Sequence, residues 1–432
     1  MKSKKLQLLE KVLRWMSVVI LKKYNPTIIG ITGSVGKTSA KEAVFLALSS
    51  KYRVRKNEKN YNNEIGIPLT IIGAESGEKS PIKWFLVFLK WLWVTLMTVE
   101  YPEILVLEMG VGAPGDMKYL AGFIPVKIGI VTNISSSHLE FFKDLDHIAK
   151  EKGIMISALP EDGCAILNGD DELVMKINEN SKAKLITYGF GEKNQIRAIN
   201  VSYNYQDGKL SGIIFKLAYE EKVVPIRLRN ILAKHQIYSV LAGIAAGNLF
   251  KVNILDVANS LENFCSPPGR MNLIPGIKRS SVIDDTYNAS PTSTIAALEV
   301  LDELKAKRKI VVLGDMMELG SDMENGHRNV ARKVFEIKTD IFFGVGERME
   351  FAVKELRKRE YSPENIHYFE NPELAGKKLQ EVIREEDLIL IKGSQGMRME
   401  KIVEEIMAEP LKAKMYLCRQ SKKWRKKPFI KP

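Results

Sequence analysis

Cysteine is scarce in this sequence of 432 residues, and the pattern of the few cysteines excludes two kinds of site. Cys164, Cys265 and Cys418 lie far apart, and no two of them form a CxxC pair. Neither a disulfide framework nor a zinc site is indicated. A reducing compartment fits this usage best, and we expect a cytoplasmic location.

The sequence also lacks an apolar run long enough to span a membrane. The longest candidate, at 84–99, has about 16 residues with Lys90 near its middle, whereas a spanning helix needs about 20 apolar residues. The amphipathic stretch at 1–25 lacks the small-residue cleavage site of a signal peptide. Tryptophan beside lysine and arginine, found in both segments, is typical of the membrane interface. The apolar segment 82–99 is therefore either interfacial, which implies peripheral membrane contact, or a core helix or subunit contact.

The positive charge is confined to the two ends of the chain. The net charge is +13, of which residues 1–25 carry +6 and residues 411–432 carry +9, so the residues between them sum to −2. A nucleic-acid-binding protein would present an extended basic face, and the body has no such excess. We therefore expect no nucleic-acid partner, and we expect the basic tail 411–432 to be disordered until bound.

A phosphate-binding loop is predicted at GITGSVGKTSAKEA, residues 30–43. The β-branched run TIIGIT predicts a buried strand, and SAKEAVFLAL predicts a helix after the glycine loop. In such a loop, backbone N–H groups and the helix N-terminus face an anion, Lys37 reaches the β/γ-phosphates and Thr38 binds Mg²⁺. The strict GxxxxGK[ST] spacing would need glycine at position 31, which is isoleucine, so the loop is a shortened variant. ATP is the expected ligand, and a simple glycine turn is the alternative.

Strands and helices alternate along most of the chain, which predicts an α/β protein with two domains. A P-loop ATPase domain with a mostly parallel sheet is predicted at 26–268, and a second Rossmann-like α/β domain at 269–410. The basic amphipathic helix 1–25 precedes them, and the basic tail 411–432 follows. A Pro-Pro-Gly at 267–269 is typical of a hinge.

Nine short motifs together resemble the Mur ligase family over roughly residues 26–408. The run DDTYNASP with LGDMMELG is more specific than the phosphate loop alone. The motifs are TGSVGKTSAKE, NYNNEIGIPLT (60–70), EMGVGAPGDM (108–117), TNISSSHLEFF (132–142), LNGDD (167–171), PPGRMN (267–272), IDDTYNASP (283–291), VLGDMMELG (312–320) and LIKGSQGMRME (390–400).

The resemblance implies an ATP- and Mg²⁺-dependent amide ligase of cell-wall synthesis. The motifs are most similar to those of the members that add D-alanyl-D-alanine to UDP-N-acetylmuramoyl-tripeptide in peptidoglycan synthesis. In this family a substrate carboxylate takes the γ-phosphoryl group of ATP, and an amine then attacks the acyl phosphate. Such chemistry needs alignment and charge neutralisation more than a protein nucleophile.

The resemblance also implies roles for residues of the first domain. The nucleotide would contact the phosphate loop and the start of a later helix, and two Mg²⁺ ions would lie beside it. Lys152 matches the lysine that the family carbamylates, although Lys150 is the alternative. The implied nucleotide ligands are Gly33, Ser34, Gly36, Lys37, Thr38, Ser39 and Gln236, and the implied metal ligands are Thr38, Glu108, His138 and Lys152.

Five residues of the second domain complete the site that the resemblance implies. Arg270 would contact the γ-phosphate and Asp285 the ribose. Asn288 would contact the substrate or nucleotide region, and Lys392 and Ser394 would lie near the incoming amino substrate. Asp284 and Asp285 are also consistent with a simple turn at the end of a strand.

Three positions depart from the family pattern. Val35 replaces a polar residue of the phosphate loop, Gln236 replaces an asparagine near the adenine, and Gln395 stands where arginine is common. These departures bear on nucleotide affinity and on the choice of amino substrate, whereas they leave the reaction type unchanged.

The phosphate loop also comes early, because only about 25 residues precede its strand. Members of this type usually begin with a domain that binds the UDP group, and we expect this domain to be missing here or supplied by a partner protein. The acceptor is then either the UDP-linked tripeptide or a lipid-linked or polymeric molecule such as poly-γ-glutamate at the inner face of the membrane. A non-catalytic binding protein and a plain P-loop NTPase remain the alternatives of other classes.

Overall fold

The fold was obtained as a computed structural model, which describes residues 4–58, 61–135, 144–220, 222–317 and 319–430. The chain divides into two compact units. Unit 1 comprises Met1–Val201, Phe215–Arg227 and His235–Phe264, and unit 2 comprises Ser202–Ile214, Leu228–Lys234 and Cys265–Pro432. The sequence predicted a boundary at 268/269, whereas three stretches before it, namely Ser202–Ile214, Leu228–Lys234 and residues 265–268, are grouped with the second unit.

The first part of the chain alternates strands with helices, as predicted. Its elements are α1 (Lys4–Tyr24), β1 (Thr27–Thr32), α2 (Lys37–Ser49), β2 (Val54–Lys56), α3 (Gly66–Ile72), α4 (Pro81–Leu96), β3 (Ile104–Glu108), α5 (Asp116–Ala121), β4 (Ile128–Val131), α6 (Leu145–Ser157), β5 (Cys164–Asn168), α7 (Glu172–Ile177), β6 (Lys184–Gly189), β7 (Ile196–Gln206), β8 (Lys209–Tyr219), β9 (Lys222–Arg229), α8 (Gln236–Leu249) and α9 (Ile254–Leu261).

The strands of this part form a sheet in the order β2-β3-β1-β4-β5-β6-β7-β8-β9. The pairs from β2 to β7 are parallel. The strand that precedes the phosphate loop, β1, therefore lies between β3 and β4. Its residues are buried from Ile28 onwards, which accounts for its continuous apolar, β-branched sequence.

The helices α1 and α4 pack against each other, so the predicted N-terminal helix and the apolar segment 82–99 meet in unit 1. The indole Nε1 of Trp91 donates to the carbonyl of Met16 at 3.0 Å. The Lys23 ammonium donates to the carbonyl of Met97 at 2.7 Å, directly after the last turn of α4. None of the helices in the described ranges combines the length and the apolar character that crossing a bilayer requires.

The second part of the chain forms a six-stranded sheet with the order β10-β11-β15-β12-β13-β14, in which only β10 pairs antiparallel. Its elements are β10 (Asn272–Pro275), β11 (Ser281–Asp285), α10 (Pro291–Glu303), β12 (Arg308–Gly314), α11 (Met323–Glu336), β13 (Ile341–Val345), α12 (Met349–Lys358), β14 (Ile366–Phe369), α13 (Pro372–Val382), β15 (Asp387–Lys392), α14 (Glu400–Ile406), α15 (Ala413–Tyr416) and α16 (Lys422–Arg425).

The described part of the basic tail, residues 411–430, packs against the rest of unit 2, which corrects the expectation that the tail is disordered. Leu417 is 2% exposed within the core of unit 2, and the neighbouring Cys418 is also buried. The Arg398 guanidinium donates to the backbone carbonyl of Trp424 at 2.8 Å. Composition alone suggested disorder because it counts the charges, whereas a few apolar residues and carbonyls of the tail are bound by unit 2.

Helices α2 and α8 pack closely because Gly243 faces the backbone of Ala43. A Cβ atom added at Gly243 would lie 2.7 Å from the carbonyl carbon of Ala43, a distance that real structures do not show. We predict that Gly243→Ala lowers the unfolding free energy by about 1–3 kcal/mol, despite the better helix propensity of alanine. Denaturant titration measures this, and Gly112→Ala is the control because its added Cβ meets only Asp116 Oδ2 at 3.7 Å. Equal stability of the two variants would contradict the predicted clash.

Candidate active site

The predicted residues of the first domain converge at the carboxyl ends of three adjacent strands. In the order β3-β1-β4, β1 leads into residues 33–36, β3 ends at Glu108, and β4 leads into residues 132–135. Parallel strands present their carboxyl ends at one edge of a sheet, and ligands bind α/β sheets at that edge. The register pairs Ile31 with both Glu108 and Ile130, so the three strands end side by side.

The two loop glycines have conformations and surroundings that a side chain would disturb. Gly33 has φ of 147°, and a Cβ atom there would lie 1.9 Å from the hydroxyl oxygen of Thr132. Gly36 has φ of 81° and is the residue before the first turn of α2. The loop is tied to the β4 loop, because the Val35 N–H donates to Asn133 Oδ1 at 2.8 Å. Ser34 Oγ also donates to the carbonyl of Ser135 at 3.0 Å.

The first helix turn holds a lysine over the loop. The Lys37 ammonium donates to the carbonyls of Gly33 and Ser34 at 2.8 and 3.0 Å. Burial lowers the pKa of this ammonium, and the Glu108 carboxylate partly offsets that shift. In phosphate-binding loops, a lysine at this position and the backbone N–H groups of the loop bind the phosphates of a nucleotide.

Thr38 and Glu108, the two predicted ligands of the first Mg²⁺, are in direct contact. The Thr38 hydroxyl donates to Glu108 Oε2 at 2.9 Å, and the Asn62 amide donates to Oε1 at 3.2 Å. The carboxylate is 3% exposed. The residues present fit a Mg²⁺ ion, because hydroxyl and carboxylate oxygens are its preferred donors and phosphates complete its shell.

A second lysine, which the sequence reasoning missed, lies against the same carboxylate. Lys41 is 1% exposed, its Nζ lies 3.5 Å from Glu108 Oε2, and it donates to the carbonyl of Asn57 at 2.7 Å. A buried charge needs such partners. Its position four residues after Lys37, on the same face of α2, is a signal that could have identified it.

Lys152 lies in α6 and is 3% exposed. Burial and then the charge of Lys37 lower the pKa of its ammonium to about 8, and Glu151 acts in the opposite direction. Glu151 itself accepts from the backbone N–H groups of Gly115 and Met117 at 3.0 and 2.9 Å, which fixes the start of α5 beside the β3 loop.

Of three further predicted ligands, the structure describes Gln236 and Ser39 but not His138. Gln236 is 4% exposed in the first turn of α8, and Ser239 of the same helix lies 3.7 Å from a Cβ placed at Gly36, so this helix start adjoins the phosphate loop. Ser39 is buried in the first turn of α2. His138 lies outside the described residues, so its predicted metal role stays a prediction.

The described residues contain no group of three or more His, Cys, Asp or Glu side chains arranged to hold a metal ion. A Mg²⁺ ion at Thr38 and Glu108 would have two oxygen ligands from the protein, and its remaining ligands would come from a bound nucleotide and water.

In unit 2 the predicted residues also converge, at the carboxyl ends of β11 and β15. The Lys392 ammonium, 3% exposed, donates to Asp285 Oδ2 at 2.6 Å and to the carbonyl of Asn288 at 2.9 Å. Ser394 Oγ donates to the carbonyl of Ala289 at 3.3 Å. The Arg270 guanidinium lies over the ring of Tyr287, 4.2 Å from its centroid. Lys392 therefore holds together the loop after β11.

Arg419 of the tail is a further contact of this loop that the sequence did not predict. Its guanidinium donates to the carbonyl of Thr286 at 3.0 Å and to that of Tyr287, and it pairs with the buried Glu400 at 3.1 Å. The tail thus supports the segment that carries Asp285 and Asn288. Only its basic character was evident from the sequence, and charge count does not identify the acceptor of a given arginine.

Comparison with known proteins agrees with this arrangement. Residues 92–247 match the Mur ligase middle domain, and residues 269–395 match the Mur ligase glutamate ligase domain. A relative from Bacillus subtilis, UDP-N-acetylmuramoyl-tripeptide--D-alanyl-D-alanine ligase, is 32% identical over 92% of this chain and 80% of its own length. The MurF ligase of Thermotoga maritima, solved in complex with ADP, superposes with a TM-score of 0.68 at 25% identity, covering 92% of this chain and 83% of that one. A MurF structure from Acinetobacter baumannii has a TM-score of 0.73 at 24% identity, with 91% and 79% covered, and shows the fold alone.

The phosphate loop follows β1, at the point where the strand order of the parallel sheet reverses. The second α/β unit has its own cationic cluster. This combination indicates an ATP-dependent enzyme of two units. The chain belongs to the Mur ligase family of ATP-dependent ligases. The resemblance drawn from the sequence motifs is therefore confirmed, as is the mostly parallel α/β fold.

Removing the charge of Glu108 tests its role as a metal ligand. We predict that Glu108→Gln, which keeps the size of the side chain but removes its charge, raises the Mg²⁺ concentration needed for half-maximal ATP turnover at least tenfold, because a hard cation loses an anionic ligand. Glu100→Gln, at an exposed glutamate shortly before β3, is the control. An unchanged Mg²⁺ dependence in Glu108→Gln would show that the carboxylate is not a ligand.

The buried carboxyl of Asp284 should make the unfolding free energy depend on pH. Burial raises the pKa of its carboxyl to about 7, with Asp285 and Glu400 adding to the shift and hydrogen bonds from Thr286 opposing it. Between about pH 4 and 7 the folded state then binds a proton that the unfolded state has lost, so the unfolding free energy falls as the pH rises. We predict that the unfolding free energy of the wild type falls by an amount on the order of 2 kcal/mol between pH 5 and pH 8 because of this group, and that Asp284→Asn abolishes this decrease.

Urea unfolding at several pH values measures this effect. Asp256→Asn, at an exposed aspartate of α9, should retain the wild-type slope with pH. A wild-type slope in Asp284→Asn as well would mean that Asp284 is ionised in the folded protein throughout this range.

Proposed function

We propose that the protein joins D-alanyl-D-alanine to a UDP-N-acetylmuramoyl-tripeptide in peptidoglycan synthesis, with ATP converted to ADP and phosphate. The observation that carries this proposal is the similarity to the Bacillus subtilis ligase of that name across 92% of the chain. The contact between Thr38 and Glu108 at the phosphate loop supports the ATP-dependent half of the reaction, because it brings together two oxygen donors suited to Mg²⁺.

The reaction proceeds in two balanced steps. An oxygen of the acceptor carboxylate attacks the γ-phosphorus of ATP, ADP leaves, and an acyl phosphate forms. The amine of D-alanyl-D-alanine then attacks the acyl carbon, phosphate leaves with that carboxylate oxygen, and the amine loses a proton. The protein contributes by aligning the three partners and by neutralising the charge on the transferred group.

In unit 1, Lys37 binds the β/γ-phosphates, and the backbone of residues 33–36 encloses them. Thr38 and Glu108 would hold a Mg²⁺ ion, which would neutralise phosphate charge. Lys41 and Asn62 position the Glu108 carboxylate. Gln236 and Ser39 complete the nucleotide contacts, in accordance with their burial beside the loop.

We further propose that Lys152 carries a carbamate, which would give a second Mg²⁺ ion an oxygen ligand together with His138. Carbamate forms on a neutral amine, and the lowered pKa of Lys152 favours that form near neutral pH. Lys150 is the less favourable candidate because it is exposed, whereas Lys152 is buried.

In unit 2, we propose that Arg270 contacts the γ-phosphate, Asp285 the ribose and Asn288 the substrate or nucleotide region. Lys392 and Ser394 would bind the incoming dipeptide. The ion pair between Lys392 and Asp285 supports a joint role for these residues, because a ligand that contacts either side chain also alters the loop that the pair holds.

The alternative acceptor is a lipid-linked or polymeric molecule at the inner face of the membrane. The curated relatives extend beyond the matched region, since the alignment covers 80% of the Bacillus subtilis protein. A UDP group bound elsewhere, or by a partner protein, would be compatible with the first acceptor. The exposed apolar surface of unit 1 favours the membrane alternative.

Phosphate release with ATP, Mg²⁺ and D-alanyl-D-alanine tests the proposal. We predict that UDP-N-acetylmuramoyl-tripeptide raises release well above the rate without acceptor and that mass spectrometry finds the ligated product. Lys37→Ala should abolish release, because the phosphates lose their principal cation, whereas Lys51→Ala, at an exposed lysine just after the end of α2, should not.

Release without ligated product would identify a plain ATPase. An active protein that ignores the UDP-linked acceptor but ligates D-alanyl-D-alanine to a lipid-linked one would assign the second acceptor instead. No turnover with either acceptor would contradict the proposal.

A further inference from the structure

Helix α4 has an unusual distribution of apolar residues. Val87, Trp91 and Val94 face the core, as expected for one side of a helix. The opposite side would ordinarily be polar, yet it is also apolar. Its exposed residues are Ile82, Phe85, Leu86, Phe88, Leu89, Trp93 and Leu96, with exposed fractions between 42% and 73%.

A second exposed apolar stripe lies on the neighbouring helix α1. Leu8, Val12 and Trp15 follow a spacing of four and three residues, so they lie on one side of the helix, and each is at least 42% exposed. The two surfaces are connected by aromatic contacts. The ring centroid of Trp91 lies 4.9 Å from that of Trp15 and 5.6 Å from that of Phe88. We call these two stripes together the α1/α4 face.

Lysines flank the α1/α4 face on both helices. Lys83 and Lys90 are exposed and seven residues apart, so they share one flank of α4. On α1, the exposed Lys4 and Lys11 are also seven residues apart, and the exposed Lys22 follows after eleven residues, which is about three helical turns. All three therefore adjoin the stripe of Leu8.

We propose that the α1/α4 face docks onto an anionic lipid surface, with the two helices lying in the plane of the interface. Apolar side chains enter the headgroup region, tryptophans lie at its level, and flanking lysines contact lipid phosphates. The helices are too short or too polar to cross the bilayer, so the contact is peripheral. This docking goes beyond the proposed reaction, since it can take place with either acceptor.

The lysines favour lipid over a second copy of the chain. A symmetric dimer through this face would bring the two sets of lysines close to each other, and like charges are unfavourable at an interface core. Protein interfaces are also depleted in lysine relative to the rest of the surface. An anionic membrane offers a complementary charge at both flanks.

Vesicle flotation with the full-length protein tests the proposal. We expect the protein to float with vesicles of phosphatidylglycerol and phosphatidylcholine, and to float weakly with phosphatidylcholine alone or at high salt. Leu89→Ser with Trp93→Ser should reduce the partition coefficient at least tenfold, because it removes two exposed apolar side chains. Lys83→Gln with Lys90→Gln should reduce it about tenfold or more for anionic vesicles only.

Matched control variants test whether the loss of vesicle binding is specific to the α1/α4 face or follows from removing any exposed leucines or lysines. Leu255→Ser with Leu374→Ser alters two exposed leucines on α9 and α13, and Lys216→Gln with Lys377→Gln alters two exposed lysines elsewhere. Both control variants should bind vesicles like the wild type. Thermal unfolding and ATP turnover with a soluble acceptor, which should be unchanged in the four variants, distinguish loss of docking from misfolding and from failure of the proposed reaction.

Absence of flotation with anionic vesicles would overturn the proposal, as would equal binding to neutral and anionic vesicles. A dimer in light scattering that is lost in Leu89→Ser with Trp93→Ser, without vesicle binding, would assign the face to a second copy. Equal loss of binding in the control variants would also contradict the assignment.

Discussion

The buried carboxylate of Glu108 is the interaction on which the site in unit 1 depends. It lies at the end of β3 and accepts hydrogen bonds from Thr38 of α2 and Asn62, while the Lys41 ammonium lies 3.5 Å away. An uncompensated buried carboxylate is costly, so these partners fix its position. Because β3 and β1 are paired, the same contact places the first turn of α2 beside the carboxyl end of the neighbouring strand. The position of the phosphate loop is thus set by the sheet and by one charge.

Unit 2 is organised around a cation instead. The Lys392 ammonium binds Asp285 and the carbonyl of Asn288, and Arg419 binds two further carbonyls of the same loop. Backbone carbonyls at the end of a strand lack sheet partners, and the two cations satisfy several of them. The tail is therefore part of the support of this loop, which accounts for its order despite its charge.

The sequence predicted the parts of the fold that depend on local pattern. The buried strands β1 and β3 were evident from β-branched runs, and the phosphate loop from Gly33, Gly36 and Lys37. The sequence places Lys41 on the same face of α2 as Lys37, but it could not predict the contact of Lys41 with Glu108, because those two residues are 67 positions apart in the chain and meet only through sheet pairing. The order of the tail was missed for a similar reason, since the carbonyl acceptors of Arg419 belong to a distant loop. The apolar segment 82–99 was predicted as either interfacial or buried, and α4 has one buried and one exposed apolar face.

We propose that this enzyme activates a carboxylate as an acyl phosphate at the site built around Glu108 and Lys37. An acceptor labelled with ¹⁸O in both oxygens of its reacting carboxylate tests that claim most directly. If the acyl phosphate forms, the released phosphate carries one ¹⁸O atom and the new amide retains the other. Release of phosphate without ¹⁸O would contradict this proposal, whether or not a ligated product forms.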